Sequence, residues 1–74
     1  MGEMEILGKE GKKRLTWDID SKDRIEAAER EFYKRLEQGF LAFNFTKDGG
    51  PGTQIHTFDP DEPKIIILSS VLGG

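Results

Sequence analysis

Lys64-Ile65-Ile66-Ile67-Leu68 decides the fold. Residues 65–68 are apolar in succession, without the polar alternation of a strand that has one wet face. The segment is therefore expected inside a sheet, covered at least in part on both faces. It also comes last among the elements, so the sheet must admit it between strands made earlier in the chain. Beyond it only Ser69-Ser70-Val71-Leu72 precede Gly73-Gly74. Lacking Cβ atoms, a diglycine can lie extended in a narrow channel and bring a terminal carboxylate to a reagent. The bland alternative is a frayed end, or glycines left by cloning.

Working back along the chain, Asp59-Pro60-Asp61-Glu62-Pro63 reads as a turn, and residues 55–58 as a short strand returning beside 40–46. Lys47-Asp48-Gly49-Gly50-Pro51-Gly52 reads as a turn or loop. Residues 40–46 are β-type in composition, with Leu41, Phe43 and Phe45 on one face and Phe40, Ala42 and Asn44 on the other. The larger set is expected under a helix, which would leave Phe40 and Ala42 on the far side of the sheet. An exposed Phe40 there would mark an interface, unless the Gly-rich loop covers it.

Ile25, Ala28, Phe32 and Leu36 recur at spacings of a helical stripe, predicting one helix over about 21–38. Asp20 or Ser21 is expected to cap its start, Asp23 suits its positive end, and Gly39 is expected to stop it. Glu26 with Arg30, and Glu31 with Arg35, stand at i,i+4 on the opposite side. Met4, Ile6 and Leu15, Trp17 alternate with polar neighbours around Gly8-Lys9-Glu10-Gly11, the pattern of an N-terminal hairpin. The fold class is thus α+β: a β-hairpin, one helix, then two or three strands in a mixed sheet with the helix on one face.

At 74 residues this is one domain, of a size that buries only about 60% of its unfolded surface. With no cysteine there is no disulfide framework, thiolate nucleophile or Cys-based zinc site, and a cytoplasmic location is expected. A net charge of −3 and the absence of a basic aromatic surface argue against nucleic acid. The cluster Lys9, Lys12, Lys13, Arg14 reads as a solvated hairpin. No apolar run approaches the roughly 20 residues of a membrane span, and no anchor or signal segment is expected.

Side-chain chemistry is sparse. His56, the single histidine, has no partners with a metal or catalytic spacing. Asp59, Asp61 and Glu62 lack the ligand pattern of a calcium loop, and Gly49-Gly50-Pro51-Gly52 is followed by neither a helix nor Lys-Ser/Thr, so phosphate-loop mechanics are missing. No catalytic residue, metal or cofactor is expected, and the chain is not expected to be an enzyme.

The stretch from Lys64 to Gly74 resembles the C-terminus of the ubiquitin-like β-grasp sulfur carriers of molybdopterin and thiamine biosynthesis. These end in a hydrophobic strand, two short residues that are commonly prolines, an apolar residue and Gly-Gly. Ser69 and Ser70 stand where the prolines would be. The resemblance implies a terminal strand lying parallel to the first, a domain over residues 1–72 and a flexible tail at 73–74. It also implies that Gly73 and Gly74 form the terminus that carries sulfur or is conjugated, as in a carrier or a small protein modifier. An adenylating enzyme would be the partner, contacted through Phe40, Ala42, Val71 and Leu72, and the protein would be a monomer. The competing reading is a non-catalytic binding or assembly module, of viral, phage or adaptor type, that uses an exposed sheet face or edge strand.

Overall fold

The structure, a computed structural model, describes residues 1–8, 11–45 and 51–69. Strands β1 (Gly2–Gly8) and β2 (Gly11–Trp17) form the hairpin, and α1 (Lys22–Glu37) follows. Then come β3 (Leu41–Phe45), β4 (Pro51–Ile55) and β5 (Lys64–Leu68). They make one mixed sheet in the order β2-β1-β5-β3-β4. The last strand is central, parallel to β1 and antiparallel to β3, a β-grasp-like arrangement.

Register explains why β5 had to be apolar throughout. Ile65 and Ile67 sit beside Met4 and Ile6 on the face under the helix, while Ile66 and Leu68 sit beside Glu5 and Leu7 on the other. Ile65, Ile66 and Ile67 are all buried. The helical stripe is also as expected, with Ala28 and Phe32 buried and Ile25 and Leu36 packed at the core's margin.

Gly39, at φ 96°, ends α1. Its N–H donates to the Leu36 carbonyl, and the Phe40 N–H donates to the Arg35 carbonyl, both at 3.0 Å. These bonds satisfy carbonyls that the last turn would leave unpaired, in the Schellman arrangement that a left-handed glycine permits. At the other end Ser21 occupies the cap position without a side-chain bond, so the expected hydroxyl or Asp20 cap is not what starts the helix. The first helical bond runs from the Ile25 N–H to the Ser21 carbonyl at 3.0 Å.

An aromatic cluster fills the space between helix and sheet. Trp17 and Phe58 stand 5.2 Å apart and Phe32 and Phe58 5.7 Å apart, at tilted and edge geometries suited to their quadrupoles. The Trp17 Nε1–H donates to the Pro60 carbonyl at 3.0 Å, so the buried indole loses no hydrogen bond and pins the turn after β4. The Asp61 N–H meets the Asp59 Oδ1 at 2.9 Å, an Asx turn that accounts for the acid-proline sequence there.

Two further sequence expectations change. Strand β4 covers Pro51–Ile55, earlier than residues 55–58, and leaves His56 and Thr57 exposed beyond its end. A register shift between Phe43 and Phe45 accommodates it, with the Thr53 N–H donating to Asn44 Oδ1 at 2.8 Å. The faces of β3 are also inverted. Ala42 is fully buried under the helix, whereas Leu41 is 41% exposed on the open side. Large aromatics from β2, α1 and the segment after β4 already fill the interlayer space, so the strand beneath them carries the small residue.

Candidate functional site

The region to which the sequence assigned chemistry begins where β5 ends. The Ser69 N–H donates to the Leu7 carbonyl at 2.9 Å, extending the parallel pairing one residue past the strand. Because β1 and β5 run in the same direction, this exit lies beside the β1–β2 hairpin end. Val71, Leu72, Gly73 and Gly74 lie outside the described residues.

A groove of about 480 Å³ opens at this exit, on the helix side. Ser69, Ile6, Gly8 and Phe40 line it, with Lys12, Lys13 and Arg35 among its charged neighbours. A Cβ on Gly8 would stand 3.6 Å from the Phe40 ring, an ordinary van der Waals contact, so the ring packs against this stretch of β1 without requiring the glycine. Arg35 lies over the ring, 5.3 Å from its centroid, close enough for a cation–π attraction.

Phe40 is thus half-buried in the groove wall and Ala42 is in the core; neither belongs to the open sheet face, where the sequence reading put them. The reason is the inversion of β3. The open face instead presents Leu41, Phe43 and Phe45 from β3, Ile66 and Leu68 from β5, and Leu7 from β1. Leu41 and Leu7 are its most exposed apolar members, at 41% and 36%.

The other half of this face is ionic. Arg14 meets Glu3 at 2.9 Å and Lys12 meets Glu5 at 3.3 Å across the hairpin, and Lys64 reaches Glu5 at 3.5 Å and Glu3 at 3.9 Å. Lys64 also stands 4.5 Å from the Phe45 ring centroid, at the border of the apolar half. Burial pushes the Glu5 carboxyl up, but the Lys12 hydrogen bond and the Lys12 and Lys64 charges outweigh it and hold its pKa below the ordinary range. Alternation of Glu3 and Glu5 with Met4 and Ile6 signalled this ladder; its cross-strand partners needed the register.

On the helix side, Glu31 accepts from Arg35 Nε at 2.7 Å and faces Lys13 at 3.9 Å, tying α1 to β2. Burial raises this carboxyl's pKa too, and the Arg35 bond with the charges of Lys13, Arg35 and Lys34 carries it below the usual value. This i,i+4 pair therefore faces the hairpin and not open solvent. Among the described residues no group of acids or histidine could hold a metal ion, and no helix is long and apolar enough to cross a membrane. No protein family, curated protein or solved structure with which the chain was compared matches it.

Proposed function

We propose that the chain is a ubiquitin-like sulfur carrier or protein modifier that reacts through the carboxylate of Gly74. The observation that carries the reading is the placement of β5. A central strand, held on both sides and bonded as far as Ser69, gives residues 70–74 a rigid root. Five extended residues reach at most about 17 Å, enough to enter a narrow active site while the folded domain stays outside.

In this reading an adenylating enzyme is the partner. A Gly74 carboxylate oxygen attacks the α-phosphorus of ATP and pyrophosphate leaves. The acyl-adenylate carbonyl is then attacked by a sulfur donor, giving a thiocarboxylate, or by a target lysine amine, giving an isopeptide bond; AMP leaves in either case. The chain contributes no catalytic side chain and no cofactor. It works as a cytoplasmic monomer without nucleic acid. The apolar half of the open face, with Leu41 and Leu7 most exposed, is the docking surface, and Val71 and Leu72 enter the enzyme with the glycines. That same exposed half-face supports the alternative of a non-catalytic assembly module.

Intact-mass spectrometry of the protein from its native cells tests the proposal. Expected is a C-terminal peptide ending at Gly74, whether encoded or exposed by cleavage, in which sulfur replaces one oxygen or which is joined to a foreign lysine. A chain that always continues past Gly74, or a carboxylate that is unmodified in every molecule, refutes it. Partner capture that survives deletion of residues 73–74 would favour the assembly module.

A further inference from the structure

The two edges of the sheet are not equivalent. Strand β4 begins with a proline, which has no N–H to give, and its pairing is broken by a register shift. Strand β2 is regular over seven residues and pairs with β1 alone.

The direction of its free backbone groups follows from one bond. The Leu7 carbonyl accepts from Ser69 N–H, and β5 lies on the side of β1 away from β2. Leu7 therefore turns its backbone away from Lys12, its cross-strand partner. Such pairs alternate along an antiparallel ladder with pairs that exchange both hydrogen bonds. Arg14 and Thr16 share the phase of Lys12, so these three residues aim N–H and C=O off the sheet.

Charge surrounds that row. Lys12, Lys13 and Arg14 keep 60%, 56% and 58% of their side chains exposed, although their acidic partners are only 14–22% exposed. Each cation thus retains donors open to solvent beyond those its acid engages. On the helix side of the edge, Leu15 and Ala27 line a shallow groove flanked by Arg14 and Arg24. Arg24 forms no ion pair among the described residues. A second copy of this chain does not fit: two β2 edges brought together would set lysine and arginine against lysine and arginine.

We propose that the β2 edge binds an extended acidic peptide as a sixth strand. Its backbone pairs with Lys12, Arg14 and Thr16. Acids at alternate positions face the Lys12 and Arg14 side chains, and the intervening apolar residues face Leu15 and Ala27. The site is independent of Gly74, and its test does not involve the chain end.

The probe is a fluorescein-labelled eight-residue peptide alternating glutamate and valine, which presents the same pattern in either direction. The control carries lysine for every glutamate. Fluorescence anisotropy with the full chain should show the acidic peptide binding at least about tenfold more tightly, and backbone amide shifts should concentrate on β2. Thr16→Pro removes an N–H that points off the sheet, where proline is tolerated, and should cost about tenfold in affinity. The double variant K12E/R14E should reverse the preference between the two peptides. Equal binding of both peptides, no binding of the acidic one, or shifts confined to β3 and β4 would overturn the proposal. So would full affinity in a folded Thr16→Pro protein.

Discussion

The two faces of the sheet use the same strands to opposite ends. Under the helix, Met4, Ile6, Ala42, Ile65 and Ile67 are at most 3% exposed and form one cluster with Trp17, Ala28 and Phe32. On the open side, a ladder of Glu3, Glu5, Lys12, Arg14 and Lys64 lies next to an apolar half built from Leu7, Leu41, Phe43, Phe45 and Leu68. The first face has its partner within the chain. The second covers Ile66 down to 7% with its own long side chains and leaves leucines at its margin. Stability therefore resides mainly on the helix side of the sheet, while the open side keeps apolar surface available to another molecule.

Truncation on each face should break this contrast if it is wrong. Phe32→Ala is expected to cost about 3–5 kcal/mol in urea denaturation, a large share of the stability of a chain this small, at roughly 0.05–0.15 kcal/mol per residue. Phe43→Ala, on a half-buried ring of the open face, should cost about 1–2 kcal/mol. Equal losses would mean that the open face is a second core.

Acid should sharpen the comparison, because one depressed carboxyl lies on each face. The folded-state pKa values of Glu5 and Glu31 are below the ordinary value of 4.5. The unfolded chain therefore binds these protons first as pH falls. The stability they contribute is complete above that ordinary value and is lost as pH drops through the lower folded-state values. Glu5→Gln and Glu31→Gln should each flatten the acid limb of a stability profile; an unchanged profile would show that the ion pairs do not persist in solution. The smallest stability effect is expected for Leu41→Lys, within about 0.5 kcal/mol, yet it should abolish capture by an adenylating partner. Retained capture would move the docking surface off the open face.

Much of the fold was legible because it rests on local rules. The stripe Ile25, Ala28, Phe32, Leu36 gave the helix, Gly39 its end, and alternation around Gly8 and Gly11 the hairpin. The unbroken apolar run of β5 announced a central strand. The error at β3 has a definite cause: period two says which residues share a face, but not which face turns inward. Hydrophobicity favoured Leu41, Phe43 and Phe45 for the core, and volume decided otherwise. His56 was placed in a strand for a related reason, since the end of β4 depends on the bulge opposite Asn44. Of the candidate site, Val71, Leu72, Gly73 and Gly74 lie outside the described residues, Phe40 proved to line a groove beside Ser69, and Ala42 is core.

By itself, the sequence determined the kinds of element, their order and the necessity of a buried last strand, because dihedral preference, capping and apolar periodicity act over a few residues. Only the tertiary structure decided the register of β5 against β1 and β3, that Ala42 and not Leu41 lies beneath the helix, and that Lys12, Arg14 and Thr16 turn their backbone outward. These depend on register and on the volume available between helix and sheet, which join residues far apart in the chain.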